Sequence, residues 1–388
     1  FVTGTRPEII KLAPVYHELG KRNIQATWCH SGQHDALAEQ AFRQFKISPD
    51  VELVRPAEES LSALTAGLIL SLEQFLQHGG FHAVCVQGDT STTLAGALSA
   101  FYARIPVFHV EAGLRSNDRS MPEEVNRVLS DHVSTYLFAP TEDAKANALK
   151  EGVSPEKIFV TGNTIVDAVN QHLGTTNANH TILGRWGLQK GGYLLVTAHR
   201  QENVDIKDKL EGILEGLRLI YEEFHTPIIY PLHPRTRKQV QKFKIAIPKE
   251  ITIIEPVGFY EFLYLETHAK LILTDSGGLQ EEACILHVPC VTLRESTERP
   301  ETLEVKSNLL AGTDPDKILK CARLMLSSEN NWPNPFGDGK SAQRIVEIIR
   351  RADFNGNMSI VFEVHDNQCS DQEAIALAVK YLRKLLAS

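Results

Sequence analysis

Short apolar runs rich in Val, Ile and Leu alternate along this chain with longer segments of helical periodicity. This alternation is typical of βα units, which assemble into a parallel sheet with helices on both faces. The composition of residues 1–3 indicates the end of a strand. We predict further strands at residues 27–31, 83–87, 107–110, 157–161, 193–197, 228–232, 251–254, 271–274 and 290–293. The sequence therefore predicts an α/β fold.

Polar or glycine-containing clusters follow most of the predicted strands. Ligands of doubly wound folds bind at the carboxyl ends of the strands, so these clusters are candidate binding groups. In the first half they are Gly4-Thr5-Arg6, Gly88-Asp89-Thr90, Glu111-Ala112-Gly113 and Gly162-Asn163. In the second half they are His199-Arg200, His233, Glu255 and Asp275-Ser276-Gly277-Gly278.

The length of 388 residues is too great for one core of typical size and favours two domains. Polar, irregular sequence between residues 162 and 193 puts the boundary near 165–170. We predict domains at 1–167 and 168–339 that face each other across a cleft, then a helix at 340–351. Residues 352–388 are predicted to add a strand at 358–364 and a helix at 374–386, with no assigned role.

Charge and composition exclude several classes of function. A formal net charge of -8 argues against nucleic acid as a general partner. The longest weakly polar stretch, residues 92–103, is too short to cross a bilayer, so no membrane segment is predicted. The six cysteines lack CxxC spacing, which fits a reducing cytoplasm. Because the chain opens at Phe1 without Met, we interpret its N-terminus as trimmed.

The first cluster predicts an anion site. In Gly4-Thr5-Arg6-Pro7-Glu8 a glycine turn precedes a helix start, so backbone N–H groups, Arg6 and Lys11 are expected around one point. The alternative is that Arg6 and Lys11 are solvated residues at the start of a helix.

The cluster Asp275-Ser276-Gly277-Gly278 repeats this pattern in the second half. Its small residues permit close approach of a phosphate to a helix N-terminus, and Ser276 is equally suited to cap that helix. Glu282, one helical turn further on, suits ribose hydroxyls better than phosphate.

Three carboxylates are candidates for acid–base chemistry: Asp89, Glu111 and Glu123. Asp89 could instead cap the following helix, and Glu123 could complete a capping box with Ser120, which is the favoured interpretation for Glu123 alone. Glu111 follows an apolar strand and is the hardest of the three to explain structurally. It is therefore the strongest acid–base candidate.

Two histidines, His199 and His233, follow predicted strands and could contact a pyrophosphate or supply a proton, or could be hydrogen-bonded structural residues. His30 and His34 are separated by loop-like sequence, so no metal site is predicted. Neither GxGxxG nor GxxxxGK[ST] is present, so no nicotinamide cofactor and no kinase P-loop are predicted. The clusters indicate a binder of a nucleotide diphosphate.

Several motifs together carry a resemblance to a known family. They are Gly4-Thr5-Arg6-Pro7-Glu8, Gln87-Gly88-Asp89-Thr90, His109-Val110-Glu111-Ala112-Gly113-Leu114-Arg115, Pro122-Glu123-Glu124, Thr161-Gly162-Asn163-Thr164, Asp275-Ser276-Gly277-Gly278, Thr297-Glu298-Arg299-Pro300-Glu301 and Asn334-Pro335-Phe336-Gly337-Asp338-Gly339-Lys340. In order and spacing, from Phe1 to about Arg350, the chain resembles the non-hydrolysing UDP-N-acetylglucosamine 2-epimerases.

The resemblance implies a GT-B-like pair of Rossmann-like domains, a last helix that returns to the first domain, and a homodimer. It implies interconversion of UDP-GlcNAc and UDP-ManNAc by anti elimination of UDP to 2-acetamidoglucal and re-addition, a supply of ManNAc-type precursors for cell-surface polysaccharide or glycan, and no cofactor.

The same resemblance assigns roles to individual residues. Those matched to acid–base catalysis are Asp89, Glu111 and Glu123, with His199 added as a catalytic candidate. Those matched to the UDP-sugar are Arg6, Lys11, His199, Ser276, Arg299 and the ribose-binding Glu282, and we add His233, Gly277 and Gly278. Which carboxylate removes the proton and which returns it is left open.

The chain departs from the family at a second, allosteric UDP-GlcNAc site that some members carry. The corresponding motifs here are Gln33-His34-Asp35-Ala36 and His199-Arg200-Gln201-Glu202, so activation by substrate is not expected. Three rival functions stay open at this point. They are a hydrolysing 2-epimerase that releases ManNAc and UDP, a GT-B glycosyltransferase, and a catalytically silent sensor of UDP-sugars.

Overall fold

Parallel βα units make up the part of the chain that the structure describes. This computed structural model describes residues 1–32, 36–54, 60–119, 121–176 and 181–351. Residues 1–347 form one compact unit, and a second unit begins at residue 348. The tail predicted at 352–388 and the motif at residues 33–35 lie outside the described residues.

The elements are numbered here in chain order over the described residues. The strands are β1 Val2–Thr3, β2 Cys29–His30, β3 Val51–Glu52, β4 Val84–Gln87, β5 Val107–Val110, β6 Tyr136–Ala139, β7 Ile158–Val160, β8 Leu194–Thr197, β9 Ile228–Pro231, β10 Ile251–Ile254, β11 Leu271–Thr274, β12 Cys290–Thr292 and β13 Asn308–Leu310. The helices are α1 Arg6–Lys21, α2 Ala36–Phe45, α3 Leu61–His78, α4 Ser91–Tyr102, α5 Pro122–Val133, α6 Glu142–Lys150, α7 Thr164–Thr176, α8 Thr181–Arg185, α9 Gln201–Val204, α10 Lys207–Phe224, α11 Pro234–Phe243, α12 Phe259–Thr267, α13 Gly277–Ile285, α14 Pro300–Glu304, α15 Pro315–Leu326 and α16 Ser341–Arg351.

Both halves of the chain have doubly wound topology. In the second half six parallel strands run in the order β10-β9-β8-β11-β12-β13. In the first half β1-β2-β3 and β4-β5-β6-β7 form two parallel sheets, and β1 lies in contact with β4. The strand order therefore reverses beside β1 and β4 in one half and beside β8 and β11 in the other. These are the positions at which doubly wound folds bind ligands.

The second sheet is buried on both faces. Leu271 and Leu273 of β11 pack into one apolar cluster with α10 and α15, whereas Ile272 between them packs into a cluster on the opposite face. Successive side chains of a strand point to opposite faces, so helices on both sides require a continuous apolar run. This requirement explains why the strand is apolar throughout and why its polar groups come only after Thr274.

The strands predicted between residues 1 and 293 are present, with ends that differ by at most two residues, and the α/β fold is confirmed. Three strands escaped prediction: β3, β6 and β13. Two residues in β3 and three in β13 are too few for a periodicity signal, and β6 follows α5 after only Ser134 and Thr135. The predicted boundary at residue 167 falls within α7 and stays a prediction.

Helix α7 connects the halves. It packs against α1 in the first half and against α12 and α13 in the second. The Asp167 carboxylate accepts the backbone N–H groups of Ser341 and Ala342 at 3.1 and 3.0 Å, so it caps the start of α16. Glu347 of α16 pairs with Arg22, which follows α1, at 2.7 Å. In the described part of the chain, no helix combines the length and apolar character needed to cross a membrane.

Candidate active site

A cleft of about 1450 Å³ opens between the carboxyl ends of the strands of the two halves. All the residues predicted as site residues line it. From the first half these are Arg6, Lys11, Asp89, Glu111 and Glu123, and from the second half His199, His233, Ser276, Gly277, Gly278, Glu282 and Arg299.

A network of two cations and two carboxylates lies at the base of the cleft. The Lys11 ammonium contacts Glu111 and lies 3.0 Å from Glu281. The Arg299 guanidinium contacts Glu281 and lies 3.1 Å from Glu111. All four side chains are more than nine-tenths buried, so Lys11 is not the solvated helix-start residue of the alternative interpretation. Each carboxylate is thus held between two cations.

Opposing influences set the pKa values in this network. Burial raises the pKa of Glu111, and Glu281 adds repulsion, whereas Lys11 and Arg299 act to lower it; the net shift is upward. Burial acts to lower the pKa of Lys11, but the two carboxylates raise it above its ordinary value. Lys11 therefore stays charged, and Glu111 has the raised pKa of a group suited to exchange protons.

The backbone at Glu111 is unusual. Its φ is +66°, in the left-handed region that residues with a Cβ rarely occupy. The N–H groups of Glu111 and Ala112 both donate to the Phe138 carbonyl, at 3.0 and 3.2 Å, which holds the turn. Such strain persists only where the surroundings impose it, and it is typical of functional sites.

Asp89 is not a helix cap. The N-cap of α4 is Thr90, whose hydroxyl accepts the Thr93 N–H at 3.1 Å. The Asp89 carboxylate instead forms an ion pair with Arg127, and its side chain stays 32% exposed toward the cleft. Asn126 donates to the Asp89 carbonyl at 3.0 Å.

The capping interpretation of Glu123 is also wrong. The N-cap of α5 is Met121, and Ser120 lies outside the described residues. The neighbouring Glu124 accepts the N–H groups of Ser116 and Asn117 at 2.9 and 3.0 Å, so it fixes the loop before α5. Glu123 itself is half-buried and lines the cleft.

The predicted anion site at the start of α1 has fewer free amides than expected. The buried Glu8 carboxylate accepts the N–H groups of Gly4 and Thr5 at 2.9 and 2.5 Å. Its other oxygen accepts the hydroxyls of Thr90 and Thr93 at 2.7 and 3.1 Å, so Glu8 ties the turn after β1 to the turn after β4. Arg6 lines the cleft beside this junction.

In the second half, Asp275 organises the turn after β8. Its carboxylate is fully buried and accepts the N–H groups of His199 and Arg200 at 2.9 and 2.8 Å. The His199 ring lies 3.4 Å from the same carboxylate and 5.1 Å, between ring centroids, from His233. Burial lowers the pKa of His199, although Asp275 acts to raise it. His233 caps α11 by accepting the Arg235 N–H at 3.2 Å.

The N-terminus of α13 faces the cleft through small residues. Ser276 holds the N-cap position, but its hydroxyl makes no capping hydrogen bond. A Cβ at Gly278 would meet no described atom within 4 Å, so protein packing does not require glycine there. The glycine instead leaves room for an anion to approach the positive end of the helix.

Sequence reasoning missed several of these residues: Glu8, Arg127, Glu266, Asp275 as a backbone anchor, and Glu281. For Glu281 a signal was available, because Gln280, Glu281 and Glu282 are consecutive polar residues on a helix that is otherwise apolar.

Glu266 of α12 is fully buried, and burial together with repulsion from Glu282 raises its pKa well above the ordinary value. Burial also raises the pKa of Glu282, to about 6.

Comparison with known proteins identifies the family. The model of the UDP-N-acetylglucosamine 2-epimerase family matches residues 17–350. The UDP-N-acetylglucosamine 2-epimerases of Methanocaldococcus jannaschii and Methanococcus maripaludis are each 48% identical to this chain, over 90% of the chain and 97% of the relative.

Solved structures of family members also resemble this chain. The M. jannaschii enzyme in complex with UDP-GlcNAc and UDP superposes with a TM-score of 0.86 at 49% identity, and the Neisseria meningitidis enzyme bound to UDP-GlcNAc with 0.85 at 36%. Each comparison covers 90% of this chain and 98% of the other. The predicted GT-B-like arrangement of two Rossmann-like halves across a cleft is thereby confirmed. The chain belongs to the UDP-N-acetylglucosamine 2-epimerase family.

Proposed function

We propose that this protein interconverts UDP-GlcNAc and UDP-ManNAc by epimerisation at C2, without net hydrolysis. The observation that carries the proposal is the cleft itself: carboxylates Asp89, Glu111 and Glu123 line it from one half, and the amide end of α13 lines it from the other. Relatives at 48% identity are named UDP-N-acetylglucosamine 2-epimerases, and solved relatives hold UDP-GlcNAc and UDP.

In the proposed complex the diphosphate of the substrate lies at the N-terminus of α13. The first amides of α13, at Gly277 and Gly278, and the positive end of the helix favour an anion there, and the Ser276 side chain does not cap them. Arg6, His199 and His233 extend the cationic and hydrogen-bonding surface, and Glu282 accepts the ribose hydroxyls. This arrangement directs the sugar toward the carboxylates of the first half.

The proposed reaction begins with removal of the C2 proton by a carboxylate. As that C–H bond breaks, its electron pair forms the C1–C2 double bond, and the C1–O bond pair leaves with UDP. Lys11, Arg299 and the helix dipole stabilise the leaving diphosphate. A proton is then delivered to the opposite face of C2 and UDP adds back to C1, so the sequence consumes no redox equivalent. Asp89, Glu111 and Glu123 supply the acid and the base.

Proton NMR of the purified protein with UDP-GlcNAc in deuterated water tests the proposal. We expect UDP-ManNAc and UDP-GlcNAc that both carry deuterium at C2. Free ManNAc plus UDP would assign the protein to hydrolysis, and an unchanged spectrum would refute epimerase activity. The Glu111→Gln variant, which keeps the shape of the side chain, is the matched control and should leave the C2 proton unexchanged.

We also propose a homodimer that acts in the cytoplasm and supplies ManNAc-type precursors for surface polysaccharide. Helices α3, α4 and α5 pack in succession and expose large apolar side chains, among them Leu70, Phe101, Tyr102 and Leu129. A second copy of the chain would cover them. Light scattering should give twice the monomer mass, and Phe101→Glu should shift it toward the monomer. A monomeric wild-type protein would refute the dimer.

A further inference from the structure

His109 lies between the two turns that carry Asp89 and Glu111. Its side chain is fully buried on β5. Its Nδ1 lies 2.7 Å from the Asp131 Oδ1 atom, and its Nε2 lies 2.7 Å from the Gly88 carbonyl oxygen. Both ring nitrogens therefore face oxygen atoms at hydrogen-bond distance.

These partners determine where the protons lie. A carbonyl oxygen only accepts, so the His109 Nε2 atom must donate to Gly88. The remaining question is whether Asp131 donates to Nδ1 or accepts from it. The second oxygen of Asp131 accepts the Gly113 N–H at 3.1 Å and lies 2.7 Å from Arg115. An N–H donor and a guanidinium cation beside this oxygen indicate that the Asp131 carboxylate is ionised. Its other oxygen therefore accepts from Nδ1, and the His109 ring, with both nitrogens protonated, is an imidazolium.

Charge balance and the electrostatics of Asp131 agree with this assignment. The two cations His109 and Arg115 face the two carboxylates Asp131 and Glu151, with Arg115 bound to Glu151 at 2.8 and 2.6 Å. Burial acts to raise the pKa of Asp131, but hydrogen bonds and charge from His109 and Arg115 hold it below its ordinary value. With the ring protonated these four groups carry no net charge, and Glu151, whose side chain is 31% exposed, lies at the outer end of the cluster.

The contacts reach both turns of the first half. Gly88, whose carbonyl is held by the ring, precedes Asp89 directly. Gly113, whose N–H is held by Asp131, closes the turn that starts at Glu111. Gly113 has φ +82°, and a Cβ there would lie 2.1 Å from the Ala144 carbonyl oxygen, so the turn requires glycine at this position.

We propose that His109 is a positioning residue whose doubly protonated ring, together with Asp131, fixes the turns of Asp89 and Glu111 relative to each other; this role rests on the proposed function. The ring itself lies beneath the turns and does not enter the cleft. It acts only through the backbone of Gly88 and through Asp131. Misplacement of a reacting group by about 1 Å can cost about 100-fold in rate.

NMR of protein labelled with ¹⁵N in histidine tests the protonation state, with His109→Asn to assign the signals. In the buffer of the activity assay we expect two ring N–H signals from His109 in the wild type, one for each oxygen that its ring nitrogens face. One of them should be lost in Asp131→Asn, because the amide no longer stabilises the positive charge. A single ring N–H in the wild type would overturn the assignment.

Kinetics test the positioning. For Asp131→Asn and His109→Asn we expect kcat for epimerisation to fall about 10- to 100-fold, while KM and the Kd for UDP stay within about threefold, because neither turn belongs to α1 or α13, the helices proposed to bind the diphosphate. His268→Asn is the matched control: its ring binds the Tyr264 carbonyl at 2.9 Å, away from both turns, and its kcat should be unchanged.

Unchanged kcat in folded Asp131→Asn protein would overturn the positioning role. A parallel loss of UDP binding in both variants would also overturn it, because that would indicate general disruption. If the wild type fails to epimerise UDP-GlcNAc, the proposed function fails instead, and the ring-proton measurement still decides the state of His109.

Discussion

Glu266 should make the protein less stable as the pH rises from acidic to neutral values. Its carboxyl is fully buried on α12 beside the Glu282 carboxyl, to which its protonated form donates a hydrogen bond. Burial and repulsion from Glu282 raise its pKa well above the ordinary 4.5. Replacing it with glutamine removes the ionisable proton and keeps the shape of the side chain.

The sign follows from proton linkage. Below about pH 4.5 the carboxyl is protonated in both the folded and the unfolded chain, so it contributes no pH dependence. As the pH rises further, the unfolded chain loses this proton and the folded chain keeps it. The free energy of unfolding then falls by at most about 1.4 kcal/mol per pH unit until the raised folded pKa is reached.

Urea denaturation at several pH values, followed by circular dichroism, measures the effect. Relative to wild type, Glu266→Gln should gain about 1–3 kcal/mol in free energy of unfolding at neutral pH and little near pH 4.5. Glu255→Gln, at a position that is 79% exposed, is the control and should change stability by no more than about 0.5 kcal/mol at any pH. The reasoning is refuted if the wild-type and Glu266→Gln curves run parallel with pH.

Three further outcomes are expected. Glu111→Gln should lower kcat by about two to four orders of magnitude, because it removes a proton-exchanging group, with the Kd for UDP unchanged by calorimetry; a normal kcat would contradict the acid–base role. UDP affinity should fall below about pH 6 as Glu282 takes up a proton and loses ribose hydrogen bonds, whereas Glu282→Gln should bind UDP weakly at every pH. Glu281→Gln should destabilise the protein by about 3–5 kcal/mol in urea denaturation, because Lys11 and Arg299 lose a buried counter-charge; unchanged stability would argue against the network.

Cleft residues that directly follow a strand were predictable from the sequence, because the end of a buried strand is recognisable there. An apolar run buried on both faces is followed by polar residues only where the sheet ends, and the doubly wound topology brings those ends to one edge. Asp89, Glu111, His199 and Ser276 were identified in this way. The family resemblance added Arg299, which follows no predicted strand end directly.

The partners of these residues were not predictable by the same reasoning. Glu281 meets Lys11 across 270 positions of sequence, and no local pattern encodes that contact. Capping rules also misled: Asp89 has the residue type of an N-cap, and Glu123 that of the third helical position in a capping box begun by Ser120, but Thr90 and Met121 occupy the cap positions. Local propensity identifies residue types that suit a role, and the tertiary structure determines which neighbour performs it.

The buried network connects the chemistry of the cleft to the association of its two halves. Lys11 and Glu111 come from the first half, Glu281 and Arg299 from the second, so each half contributes one charge of each sign. Burial of a single ion pair removes both charges from water. The attraction between the two charges offsets this desolvation cost only when further hydrogen bonds form. Here each carboxylate gains its second cation only from the other half, and Asn163 adds a hydrogen bond to Glu281 at 2.9 Å. Burial is the largest cause of the raised pKa of Glu111, and two of the groups that adjust that pKa, the repelling Glu281 and the opposing cation Arg299, belong to the opposite half.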